Sequence, residues 1–191
     1  SKCYDAKITH SCDKCATFEA NIAIGGKVYT PVARVNLKYT VYADGTLKVD
    51  QSVTPVLNGR KLHEEAKYLP RYGMVFVMPK GTEQFTYFGK GPGESYVDKN
   101  VSTHVDLFKT TVTDNFEPYV RPQENSSHVD TRFAKVYSRA GHGLMFAFES
   151  SNGGSINAQH YSSRQLSSTA HDYELVPDEK TFVSIVKEGL V

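Results

Sequence analysis

At 191 residues the chain has the length of one globular domain or two small ones, and it is long enough to bury a core. Hydrophobic residues at 39%, charged residues at 23% and a formal net charge of +1 exclude intrinsic disorder and leave no field to draw in nucleic acid or anionic lipid. The longest apolar stretches, such as Met74 to Met78 and Gly143 to Phe148, fall far short of the roughly 20 residues a membrane helix needs.

Ser1 and Lys2 lead at once into strand-like residues with no apolar leader, which reads as a signal peptide absent or already removed. Cys3, Cys12 and Cys15 follow, and an odd count of three is not a disulfide framework. With His10 they read C-x6-H-x-C-x2-C, ligand types that suit zinc. A structural zinc site usually joins two separated ligand couples across a loop, which this spacing does not do, so no metal is expected here. Cys12 and Cys15 are instead read as small apolar residues bounding a turn at Asp13 and Lys14.

Val35, Leu37, Tyr39 and Val41 alternate with Asn36, Lys38 and Thr40, the period of a strand with one buried face. Asp44-Gly45 supplies the positive φ of a tight turn, and Leu47, Val49, Gln51 and Val53 return as an antiparallel partner. Asn58-Gly59 repeats the turn signal, and His63 to Tyr68 has room for a short helix. Further β-type runs lie around Phe76, at Phe85, Tyr87 and Phe88, and over Phe133 to Tyr137, Leu144 to Phe148 and Thr181 to Val186. Asn125 to His128 and Glu149 to Ser155 read as surface loops, and Ser162 to Ala170 as one or two turns of helix. Many strands, few helices and no linker predict an all-β, antiparallel β-sandwich with residues 1–191 as a single domain.

From residue 69 onward the motifs become specific. Leu69-Pro70-Arg71-Tyr72-Gly73 is similar to an "LPR-x-G" strand, and Gly89 to Lys99 to a "GxGPxExYxDR" signature with Lys99 in the place of the usual Arg. Pro118 to Asn125 matches "PYxRPQEN", Asp130-Thr131-Arg132-Phe133 resembles "DVRW", and Asn157 to Ser162 and Ala170 to Leu175 follow with "YS" and "HxxEL" pieces. In that order these segments resemble the last, small-chain domain of LacZ-type β-galactosidases, glycoside hydrolase family 2, over roughly residues 35–191.

The resemblance implies a supersandwich like that of galactose mutarotases, here truncated at its C-terminal end, with Thr181 to Val186 beside the resulting exposed edge. It implies a non-catalytic domain walling one side of the pocket of an enzyme that cleaves lactose-type β-D-galactosides with retention. The catalytic glutamates would lie elsewhere, since a (β/α)₈ barrel alone takes about 250 residues and a retaining pair needs carboxyls about 5 Å apart. The adjacent pairs Glu64-Glu65 and Asp178-Glu179 would diverge in strands. No cofactor is expected in this chain, with divalent and monovalent cations possible in the full-length enzyme. Implied partners are the remaining domains of that enzyme, the β-galactoside and further copies in a homo-oligomer. No nucleic acid or membrane partner is expected, and the compartment is taken as the cytoplasm with the periplasm left open.

Arg121, Gln123, Glu124 and Asn125 are the candidate substrate-side residues, their polarity suiting sugar hydroxyls. The same run also reads as a structural turn, with Arg121 paired to Glu124 or Glu94. The family usually follows the Asn with Gly-Asn, where this chain has Ser126-Ser127. Gly89, Gly91 and Gly93 open no helix and read as a tight turn between strands, not a phosphate loop. His104 and Asp106 share a strand face without an evident third ligand. The 12 Tyr and 10 Phe supply core, with an exposed sugar-stacking platform as the alternative. An independent carbohydrate-binding module would show such a platform, and a mutarotase-like enzyme a His and a Glu converging in one cleft.

Overall fold

The computed structural model describes residues 1–25, 31–56, 69–150 and 152–190. The chain forms two compact units, Ser1–Lys67 and Tyr68–Val191. The Asn58-Gly59 turn, the short helix at His63 to Tyr68 and the Glu64-Glu65 pair lie outside the described residues.

The first unit is an antiparallel meander of β1 (Lys2–Cys12), β2 (Cys15–Ile24), β3 (Ala33–Tyr42) and β4 (Leu47–Pro55) in spatial order. The turn at Asp44-Gly45 forms as the dipeptide predicts: Gly45 takes φ +87 and Asp44 Oδ1 accepts the Thr46 N–H at 2.8 Å. The alternation holds for most of β3, with Val35 buried and Leu37 and Tyr39 half-buried. It fails at its end. Val41 is exposed and Thr40 is buried instead, because Thr40 faces Thr17 across the β2–β3 register and the two hydroxyls lie 3.2 Å apart.

The second unit is the sandwich. One antiparallel sheet has the order β10 (Gly143–Ala147), β9 (Phe133–Ser138), β6 (Thr82–Gly91), β7 (His104–Thr111). The other has β5 (Leu69–Met78), β12 (Thr181–Leu190), β11 (Gly154–Gln159), β8 (His128–Thr131). Their facing sides share one apolar core, built from Phe85, Tyr87, Ala134, Val136 and Phe146 of the first sheet and Met78, Ile156, Ala158 and Val183 of the second. Such two-sided burial is the main favourable term in holding the sheets together. Ser162 caps α1 (Ser163–Ser168) by accepting the Gln165 N–H at 3.2 Å, and Leu166 is the helix residue that is buried.

Thr181 to Val186 is not at an edge: β12 pairs with β5 on one side and β11 on the other, so its backbone groups are satisfied in both directions. Asn125 to His128 is not a surface loop: all four residues are buried, the side chains of Asn125, Ser126 and His128 having interior hydrogen-bond partners and the Ser127 carbonyl accepting the Ser95 N–H. Likewise Gly154 and Ser155 begin a strand.

Gly89 and Gly91 belong to β6 and not to a turn. A Cβ on Gly89 would sit 2.8 Å from Thr131 Cα, so this glycine permits the close approach of β6 to β8 between the two sheets. Gly89→Ala is therefore expected to destabilise the chain by about 1 to 3 kcal/mol through overpacking against backbone. Urea unfolding of both proteins measures it, and an unchanged midpoint would contradict the close-approach explanation.

Candidate functional site

The strand β6 ends in Gly91 and a cis Gly91–Pro92 peptide, after which the chain turns inward and buries Glu94. An isolated carboxylate there would be costly. Glu94 is not isolated: Oε1 accepts from Lys99 Nζ at 2.6 Å and from the Tyr119 hydroxyl, and Oε2 accepts the Ser126 N–H at 2.8 Å. Burial pushes this carboxyl up, but the donors from Lys99, Tyr119 and Ser126 outweigh it and the net shift is downward. Lys99 Nζ also donates to the Tyr119 hydroxyl at 2.9 Å, and Lys99 is raised chiefly by its bond to Glu94.

The segment from Glu117 to Ser127 has no strand pairing of its own and is held by these bonds. Ser126 takes φ +63, the left-handed backbone that favours glycine, in the position where the motif usually has Gly. Its hydroxyl compensates locally, donating to Asn125 Oδ1 and accepting the Glu117 N–H at 3.2 Å. Asn125 Nδ2 donates to the Gln123 carbonyl at 3.0 Å, and the Asn125 carbonyl accepts from Asn157. Beneath the loop His128 stacks on Tyr87 with ring centroids 3.9 Å apart. Its Nδ1 lies 3.1 Å from the Lys90 carbonyl and its Nε2 2.8 Å from Asn115 Oδ1. Burial holds this imidazole down to about 4, although the bond to the Lys90 carbonyl and the nearby Glu94 charge pull the other way.

The four candidate residues are thereby separated. Arg121 and Gln123 are exposed, Glu124 is half-buried and Asn125 is buried. Neither sequence-expected partner of Arg121 is paired with it: Glu124 forms an ion pair with Arg71, and Glu94 is taken by Lys99 and Tyr119. Among the described residues the Arg121 guanidinium and the Gln123 amide side chain have no hydrogen-bond partner. Both line an open cleft of about 550 Å³ with Pro122 and Glu124, and the opposite wall is Ser167, Ser168, Thr169 and Ala170. Sequence reasoning missed that wall. Its hydroxyls donate to carbonyls of α1, Ser167 to Ser163 and Thr169 to Gln165, which leaves their oxygens able to accept. A cleft with a fixed cation, an amide and acceptor hydroxyls suits a polyhydroxylated ligand.

His104 and Asp106 stand exposed on β7, with His104 edge-on to Phe108 and Asp106 accepting the Leu107 N–H. A His–Glu contact does occur, His160 Nε2 to Glu83 Oε2 at 2.7 Å. Glu83 also accepts the Thr113 N–H and His160 Nδ1 lies on the Lys180 carbonyl, so both side chains bind the chain at strand ends. Asp178-Glu179 is exposed, with Glu179 paired to Lys80. Phe85, Tyr87 and Phe146 enter the sandwich core with Phe76, Phe108 and Phe148 packed against it, while Tyr173 stays exposed and stacks on His171. In the first unit, Cys12 Sγ and Cys15 Sγ lie 3.7 Å apart and His10 joins them, with all three ligand atoms within 4.8 Å of one another. A bond from the Lys14 backbone, then one from His10, hold the Cys12 thiol down to about 7.

The family model described as "Beta galactosidase small chain" matches residues 3–188. The chain is 38% identical to a β-galactosidase of Staphylococcus xylosus over 165 residues, which is 86% of this chain and 16% of that protein. It is 32% identical to a β-galactosidase of Lactobacillus delbrueckii subsp. bulgaricus over 164 residues, 84% of this chain and 15% of the relative. With the β-galactosidase of Priestia megaterium the identity is 30% over 154 residues, 81% of this chain and 14% of the relative.

Glu94→Gln tests the anchoring of the loop. A carboxyl with a lowered folded pKa contributes stability above its unfolded value of about 4.3, and loses it as pH falls through the folded value. The variant is expected to lose about 1 to 3 kcal/mol at pH 7, as for hydrogen bonds to a charged group. That difference should shrink below about pH 4. Denaturant unfolding at a series of pH values reads both, and a difference independent of pH would mean that the charge plays no part.

Proposed function

The chain belongs to the β-galactosidase small-chain family, and on that premise we propose that it is a non-catalytic domain of an enzyme hydrolysing terminal β-D-galactosides of lactose type. The cleft between residues 121–124 and 167–170 forms one wall of the sugar pocket in this reading. The observation that carries it is the pair of polar groups without a partner among the described residues, Arg121 and Gln123, on a loop whose Asn125 and Ser126 are bonded inward. Groups left without an internal partner on a rigid support can bond a ligand's hydroxyls without first breaking bonds of their own.

The retaining chemistry belongs to two glutamates outside these residues, because the fold that would carry them, at about 250 residues, exceeds this chain. The partners are accordingly the other domains of the same enzyme, the galactoside and, in the assembled enzyme, further copies. This chain's contribution is to bind and orient, which appears in catalysis as positioning of the substrate against groups supplied elsewhere.

In the full-length enzyme, Arg121→Ala is expected to raise KM for a chromogenic β-galactoside about 5- to 30-fold, the value of one hydrogen bond of about 1 to 2 kcal/mol, with less effect on kcat. The isolated 191-residue chain is expected to show no turnover of the same substrate. An unchanged KM would remove Arg121 from the pocket. Turnover by the purified chain that disappears when its own glutamates are replaced would overturn the non-catalytic reading.

A further inference from the structure

The cysteines of the first unit were expected to bind no metal because their spacing closes no loop between separated ligand couples. The hairpin removes that objection by a different geometry. β1 and β2 are joined by the two-residue turn Asp13-Lys14, with Cys12 directly opposite Cys15 and His10 opposite Thr17. Side chains two apart on a strand share a face, and so do directly opposed residues of an antiparallel pair. His10, Cys12 and Cys15 are therefore brought to one face by register alone. Cys3 is not among them: it lies opposite Ile22 at the far end of the hairpin and its thiol donates to the Asp5 carbonyl.

We propose that His10, Cys12 and Cys15 form a three-ligand site for a thiophilic divalent cation of the zinc type, at the exposed end of the β1–β2 hairpin. Two thiolates each about 2.3 Å from a tetrahedral zinc stand about 3.8 Å apart. The observed sulfur separation is 3.7 Å, beyond a disulfide's roughly 2.05 Å and fitted to a shared ion. The imidazole is within 4.8 Å of both sulfurs, a gap that a side-chain rotation closes to a nitrogen–metal distance of about 2.0 to 2.1 Å. His10 and Cys12 are exposed and Cys15 is half-buried, so an ion has a path in and its fourth position is open to water. Two thiolates and one imidazole are soft to borderline donors, which select zinc, cadmium or cobalt over magnesium or calcium.

The test titrates the chain, kept reduced and stripped with a chelator, with Co²⁺ alone. Tetrahedral visible bands and a near-ultraviolet thiolate-to-cobalt band saturating at one equivalent, and displaced by Zn²⁺, are expected. Cys12→Ser and Cys15→Ser should each abolish the thiolate band, while Cys3→Ser leaves it unchanged. His10→Ala should weaken Zn²⁺ binding at least about tenfold, since even an outer-shell partner is worth 10- to 100-fold. A measurement on the unsubstituted chain guards against variants that fold poorly: excess Zn²⁺ should shield Cys12 and Cys15 from alkylation while Cys3 reacts. Absence of the thiolate band at excess Co²⁺ would overturn the proposal. So would a band that survives loss of Cys12 or Cys15, saturation at half an equivalent, or equal alkylation of all three thiols.

Discussion

The Glu94 carboxylate is the point on which the geometry of the second unit's loop depends. Three donors from three places in the sequence converge on it: the Lys99 ammonium, the Tyr119 hydroxyl and the Ser126 amide. A buried carboxylate is tolerated only when such donors are supplied, so burial and loop placement are one requirement seen from two sides. Because Ser126 donates its main-chain N–H, the backbone is held there in its left-handed conformation, and the Asn125 side chain is turned into the interior. Arg121 and Gln123, a few residues upstream, remain outside.

The sandwich was legible because its signals are local. Period-two alternation, the Asp44-Gly45 turn and the aromatic runs at Phe85 to Phe88 and Phe133 to Tyr137 each identify strands that form. The helix over Ser162 to Ala170 also forms, though shortened to six residues by its Ser162 cap and the extended Thr169. What was not legible depends on residues far apart in sequence. Asn125, Ser126, Ser127 and His128 carry the composition of a surface loop, and nothing nearby reveals that Glu94, Asn115 and Asn157 satisfy them in the interior. The edge expected from a C-terminal truncation is misplaced for a related reason: β12 is flanked by β11 and by β5 from about a hundred residues earlier in the chain.

The candidate site was legible as a segment but not as a set of roles. Four polar residues within a run of five look alike in sequence, yet Glu124 is engaged by Arg71 and Asn125 by its own loop, which leaves Arg121 and Gln123 facing the cleft. The facing wall, Ser167 to Ala170, carried no recognisable chemistry. Its only signal was a run of small residues at the end of a short helix.

A loop fixed by its interior also has its cost of ordering met before any ligand arrives. Long polar side chains lose about 0.5 to 1.5 kcal/mol each when immobilised in a complex, and a mobile backbone beneath them adds to that. Here the backbone term is already settled, because Glu94, Asn157 and the Ser126 hydroxyl hold the main chain on which Arg121 and Gln123 stand. The cost that remains on binding is that of two side chains. In the proposed sugar-binding reading, inward-facing and outward-facing residues of the motif serve one end by different means: the first remove backbone freedom, and the second would provide the groups that bond the ligand.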